Sequence, residues 1–185
     1  PSSICASINH EVVHGIPGPR KIEAGDLVSI DVGVELNGYF GDAARSYLIG
    51  EVDEVTRQLW EATREALDLS IEHCFAGRRL SDLSHSIEQR AKRSGFSVVK
   101  DFVGHGIGTK MHEDPQILNY GPPGQGPKLK PGMVLAIEPM LNIGRSAVKV
   151  LDDGWTVVTQ DGSTSCHFED MVAITDGKPL VLSRV

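Results

Sequence analysis

At 185 residues with a hydrophobic fraction of 40%, the chain carries enough apolar material for one domain with a core of its own. A formal net charge of −7 argues against a broad nucleic-acid surface, which needs the opposite sign, and no apolar run approaches the ~20 residues that cross a bilayer as a helix. Cys5, Cys74 and Cys166 are odd in number, far apart and form no CxxC pair, which fits a reducing cytoplasm better than a disulfide framework. The chain opens at Pro1 with no initiator Met and no basic, apolar leader, so its beginning is expected to lie elsewhere.

In chain order, Ile4 to Ile8 is a short apolar strand candidate, and Asp26 to Val34 reads as a buried strand rich in Leu, Val and Ile. Asn37-Gly38 is the strongest short hairpin signal, and a return strand follows from about Tyr39 to Ile49. The spacing of Val55, Leu59, Ala62, Ala66 and Ile71 predicts a helix from Val52 to about Phe75, ended by Gly77. A second helix opens at a Ser81 cap, carries Leu83, Ile87 and Ala91 on one face, and stops at Gly95. Asn119 to Gly126 is a surface loop. Met133 to Ile143, Ala147 to Leu151, Trp155 to Gln160 and Thr164 to Thr175 are strand candidates, with turns at Asp153-Gly154 and Asp161-Gly162. Neither a low-complexity segment nor a linker divides the chain. Residues 1–185 are expected to form a single α+β domain, with a mostly antiparallel sheet and helices covering one face.

One motif occurs twice. Lys21-Ile22-Glu23-Ala24-Gly25-Asp26-Leu27-Val28-Ser29-Ile30-Asp31 recurs as Lys128-Leu129-Lys130-Pro131-Gly132-Met133-Val134-Leu135-Ala136-Ile137-Glu138, and His-Gly-Ile stands upstream of each copy, at His14 and at His105. Each copy ends in a carboxylate and is followed by another, Asp42 in the first half and Glu169 in the second. Counting outward from Asn37 and Gly38 as the two turn residues pairs Gly33 with Asp42 and Asp31 with Ala44. Side chains alternate along a strand, so Asp31 and Asp42 share a face as diagonal neighbours, roughly 7–8 Å apart in the backbone. Gly33, opposite Asp42, leaves space where an ion could sit. One aspartate in a strand is ordinarily a solvated edge residue. Two on one face of an apolar hairpin, echoed by a second half-site, point to a cation, because converging acids are otherwise intolerable away from water. His105 lies among glycines that permit close approach of a ligand, and His112 follows seven residues later. His10, His73 and His85 read as ordinary structural or exposed histidines, and His167 as undecided.

The ordered set of motifs resembles the type I methionine aminopeptidases, which have the creatinase-like pita-bread fold. The resemblance runs through Ser7-Ile8-Asn9, Val12 to Pro17, Ile30-Asp31-Val32, Gly41-Asp42, Gly104 to Gly108, His112 to Pro115, Leu129 to Met133, Ile137 to Met140 and Asp153 to Thr156. It implies two halves related by a pseudo-twofold axis and a dinuclear metal centre. In that centre Asp42 and Glu169 bridge two divalent ions, Asp31 holds one, and His105 and Glu138 hold the other. Carboxylate ligands with one imidazole suit Co, Mn, Fe or Zn alike. Two such ions roughly 3.5–4 Å apart activate a water for attack on the first peptide bond. Glu138 would carry the proton, and His112 and His14 would contact the substrate on either side of that bond. Cys5, Met111 and Trp155 are candidate walls of a methionine pocket.

The implied substrates are the N-terminal methionines of peptides and nascent chains, in the cytoplasm, with the ribosome as a candidate partner, a monomer as the working form and neither membrane nor specific nucleic acid as partner. Two departures from the family pattern stand out. A segment ahead of Pro1 that supplies aromatic walls to the pocket has no counterpart, and Asp170-Met171 replaces His-Thr after the last ligand, so an extra acid beside Glu169 is expected to weaken or retune the metals. An Xaa-Pro aminopeptidase or dipeptidase of the same fold, and a metal-free binding module, are the competing readings.

Overall fold

The computed structural model describes residues 2–184. Two β-strands open the chain, β1 (Cys5–Ile8) and β2 (Glu11–Val13), and a long hairpin follows, β3 (Leu27–Leu36) and β4 (Tyr39–Leu48). β3 pairs on its two sides with β1 and β4. The register is the one a two-residue turn dictates, with Gly33 opposite Asp42 and Asp31 opposite Ala44. Asn37 and Gly38 both adopt the positive φ that such a turn requires.

Two helices come next, α1 (Glu54–Ile71) and α2 (Leu80–Arg93). α1 starts at an Asp53 cap, whose carboxylate accepts from Thr56 N–H at 2.7 Å. Its apolar face buries Leu59, Ala62, Ala66 and Leu67, while Val55, expected on that face, is 47% exposed as the second residue of the helix. The cap of α2 is Arg79, not Ser81. The first N–H groups of α2, those of Leu80 and Ser81, donate to the carbonyls of Pro127 and Gln125, so the adjoining loop does the work of a side-chain cap. Ser81 Oγ instead accepts from Gln125 N–H.

The second half is built of short strands: β5 (Ser97–Val98), β6 (Gly104–Gly106), β7 (Glu113–Ile117), β8 (Val134–Ile137), β9 (Met140–Asn142), β10 (Val148–Val150), β11 (Val157–Thr159), β12 (Ser165–His167), β13 (Asp170–Ala173) and β14 (Leu180–Val181). Two expected strands are each divided. The Met133–Ile143 segment changes sheet at Glu138-Pro139, where proline cannot donate to a ladder, so β8 joins β13 and β6 while β9 joins β12 and β5. The Thr164–Thr175 segment changes sheet at Phe168-Glu169, and Glu169 leaves to form an antiparallel bridge with Ala44 on β4. That bridge joins the two halves of the motif.

Every strand pairing among the described residues is antiparallel. The main core runs from Leu27 through Leu59, Leu83, Leu135 and Leu141 to Ile174, drawing on both halves and on both helices.

Candidate metal centre

The hairpin places Asp31 and Asp42 on one face of β3 and β4, and the second half brings three more groups to it. His105 on β6, 6% exposed, has its Nε2 3.7 Å from Asp42 Oδ2 and 3.6 Å from Glu138 Oε1. Its Nδ1 lies 2.9 Å from the Gly106 carbonyl. A carbonyl only accepts, so the proton sits on Nδ1 and the Nε2 lone pair faces the acids, the arrangement of a metal-binding imidazole. Ligand atoms of Asp42, His105 and Glu169 lie within 4.8 Å of one another. Glu138 joins through His105, and Asp31 through a hydrogen bond with Asp42 that needs one shared proton.

The electrostatics of the group are severe. Burial, then Asp42, pushes the Asp31 carboxyl up to about 7. Burial pushes Asp42 to about 6, with hydrogen bonds from Asp31 and the Ala43 backbone holding it back. Glu138 and Glu169 are raised well above the usual carboxylate range, each by burial first and then by its acidic neighbours. Among the described residues no Lys or Arg pairs with any of the four carboxylates. Glu169 Oε1 is buried with no hydrogen-bond partner. An orphaned oxygen, an oriented imidazole and carboxylates without counter-charges form a donor set that fits divalent cations.

Around this centre stand two histidines. The exposed His112 packs its ring 4.3 Å from that of His105, and burial with the His105 neighbour lowers its pKa. His14 adopts a positive φ of 60°, and its ring meets those of Phe102 and Trp155 edge-on at 5.7 and 6.5 Å. Burial, then the nearby His112, lowers its pKa too. A cleft of about 680 Å3 opens beside His105 and His112, lined also by Thr109, Lys110 and Glu113. A second hollow of about 250 Å3 is bounded by His14, Phe102, Val150 and Trp155.

Of the candidate pocket walls, Cys5 lies opposite Asp31 in the β1–β3 pair, and Met111 reaches the hairpin. The space over Gly33 is not open for an ion: a Cβ there would overlap Met111 Cε. Trp155 stands apart beside His14, 53% exposed. Phe102 carries no signal in the sequence beyond its position three residues before His105, yet it packs directly on His14. His167 is 2% exposed, with an unpartnered Nε2, and burial lowers its pKa to about 3, with His14 adding to the effect. Asp170 adjoins Glu169, and its charge is among those that raise Glu169, but its side chain turns away from the candidate ligands. It starts β13 one residue after Glu169, so alternation turns it to the other face of the sheet, where it pairs with Arg45 and Arg184.

An acid-rich, imidazole-containing cluster between two halves of an antiparallel sheet fits the chemistry of a metal-dependent hydrolase. The chain belongs to metallopeptidase family M24, whose model matches residues 1–176. A methionine aminopeptidase of Clostridium perfringens is 52% identical over 185 residues, covering all of this chain and 74% of the relative. The crystal structure of a methionine aminopeptidase from Thermotoga maritima superposes with a TM-score of 0.96 at 48% identity, covering 98% of this chain and 74% of that one. A prolidase from Pyrococcus furiosus shares the pita-bread fold at a TM-score of 0.79 and 27% identity, with 49% of its length covered.

Proposed function

We propose that this chain is a metal-dependent methionine aminopeptidase that removes the N-terminal methionine of peptides and nascent proteins. The reading rests above all on the carboxylate–imidazole cluster, in a chain about half identical to methionine aminopeptidases along its full length. Residues 1–185 act as one catalytic unit, with a core spanning Leu27 to Ile174. Asp31, Asp42, His105, Glu138 and Glu169 would hold two divalent ions, of Co, Mn, Fe or Zn. Bound there, such ions supply an activated water near neutral pH and polarise the scissile carbonyl.

The protein's own groups do the rest. Glu138, 14% exposed and with Oε1 3.6 Å from His105 Nε2, would take the water proton and pass it to the leaving amine. His112, neutral and exposed to the cleft beside His105, donates to the developing oxyanion. His14 positions the peptide on the other side of the bond, held in place by Phe102 and Trp155. Cys5 and Met111, at the hairpin face, and Trp155, beside His14, supply soft, apolar surface for the methionine side chain. The chain works on nascent chains near the ribosome, in the cytoplasm and as a monomer; its three cysteines are all free, as a reducing compartment requires.

The test is incubation with Mn(II) or Co(II) and a Met-Ala-Ser peptide alongside an Xaa-Pro peptide. Free methionine should appear, and should vanish in Glu169→Gln. Cleavage of the proline peptide alone would turn the reading to a prolidase, and no cleavage with no metal uptake to a binding module.

A further inference from the structure

On the face of the sheet opposite the candidate ligands lies a second polar cluster that the reaction does not use. Asp170 is fully buried, and its carboxylate receives four donors: Arg45 Nη2 at 2.5 Å, Arg184 Nε at 2.7 Å, Arg184 Nη2 at 2.6 Å and Ser183 Oγ at 2.7 Å. Arg45 faces inward with a second purpose. Its Nη1 donates to the carbonyl of Ala44 at 2.8 Å and also to the carbonyl of Glu169. Those two residues are the bridge between the halves, where Glu169 N–H donates to Ala44 O at 3.0 Å while the reciprocal bond is stretched to 3.4 Å. Arg184 extends the cluster to Asp68 on α1 at 2.6 Å.

Strand alternation connects this cluster to the site. Ala44 shares its face with Asp42, and Glu169 lies opposite Ala44, so the two acids are diagonal neighbours across one short bridge. Two residues along, Ser46 Oγ donates to the His167 carbonyl at 2.6 Å, but at the bridge itself a single pair of backbone hydrogen bonds, one of them long, faces two carboxylates that repel each other. The guanidinium of Arg45 grips both carbonyls from behind, and a planar fork can do so while still pairing with Asp170. We propose that Arg45, Asp170 and Arg184 form a clasp that fixes the register between β4 and the Glu169 segment, making Arg45 a positioning residue for the two carboxylates that bridge the metals. The clasp rests on the metal-centre reading above and deepens it. Asp170, whose charge is among those that raise Glu169, is then also the anchor of the residue that orients the centre.

The experiment measures Mn(II) affinity calorimetrically on metal-stripped protein, with a thermal melt of each variant beside it. Arg45→Met is expected to weaken Mn(II) binding by about 10–100-fold, the effect of losing a group that orients metal ligands. In activity it should lower kcat with little change in KM for Met-Ala-Ser. Arg45→Lys restores the charge opposite Asp170 but not the fork over the two carbonyls, so it should fall between the two proteins. A purely structural ion pair would lower the melting temperature of Arg45→Met and leave Mn(II) affinity within about twofold of the parent, which overturns the clasp. If Arg45→Met does not fold, Arg45→Lys decides: parental affinity overturns the proposal, weaker binding supports it. A parent protein that takes up no Mn(II) sinks the metal reading itself, and the clasp with it.

Discussion

Proton affinity is where the individual residues of the centre are most distinctive. Asp42 is pushed up to about 6, Asp31 to about 7, and both glutamates are raised well above the usual carboxylate range, so protons compete with a cation for these carboxyls near neutral pH. His105 goes the other way, because burial keeps the imidazole neutral and ready to bind. Cation uptake requires the ionised carboxylates, so at pH 7 it should release protons, and apparent affinity should rise with pH through the range of those raised values. Titration calorimetry in two buffers of different ionisation enthalpy measures the release directly, and equal heats in both would contradict the arrangement. His112 makes a contrasting prediction. On the proposed role of an oxyanion donor outside the ligand set, its replacement in His112→Ala should cost about 10²–10³ in kcat while metal stoichiometry stays at the parental value. Loss of metal along with activity would instead make His112 part of the ligand set.

Elements differ in how much backbone geometry they impose on these residues. The β3–β4 hairpin is rigidly specified, while the β6–β7 pair depends on one close approach. A Cβ on Gly106 would overlap the backbone carbonyl of Asp114, and backbone cannot swing aside as a side-chain tip can. Gly106→Ala should therefore cost about 1–3 kcal/mol in chemical denaturation and, by parting β6 from β7, displace His105 and abolish metal binding. Gly33→Ala meets only the flexible end of Met111 and should leave metal affinity intact. Full metal binding by Gly106→Ala would show that the β6–β7 contact does not hold His105.

The same contrast explains what could be read in the sequence. Asn37-Gly38 sets a register by turn chemistry alone, so the shared face of Asp31 and Asp42 follows by counting. Strands of two to four residues such as β5, β6 and β14 carry too few alternations to be seen, and the sheet changes at Pro139 and Glu169 depend on partners distant in the chain. Asp170 pointing away from Glu169 follows from alternation along the expected Thr164–Thr175 strand, but its partner Arg45, 125 residues away, gave no sign of itself.

For the molecule as a whole, the centre is a joint between two halves that share one core and meet there at a short bridge. Asp31 and Asp42 come from the first half and His105, Glu138 and Glu169 from the second, and the halves meet near the centre at the Ala44–Glu169 bridge. Without cations the joint carries like charges that oppose folding as pH rises and the carboxyls ionise; with cations the same charges become ligands. Saturation at 100 times Kd stabilises by about 2.7 kcal/mol, which at about 2–4 °C per kcal/mol for a domain of this size is a rise in Tm of about 5–11 °C. Asp42→Asn separates the two effects. Asparagine keeps an oxygen for the Ala43 backbone but removes one charge from the cluster. At pH 8 and without metal, the variant should melt at or above the parent's temperature, because a repelling charge is gone. On addition of Mn(II) the order should reverse, because the parent gains a cation joint that the variant has lost. Melts of both proteins with and without Mn(II) decide the matter: a variant less stable than its parent in both conditions would mean that Asp42 serves ordinary packing and not the binding of cations.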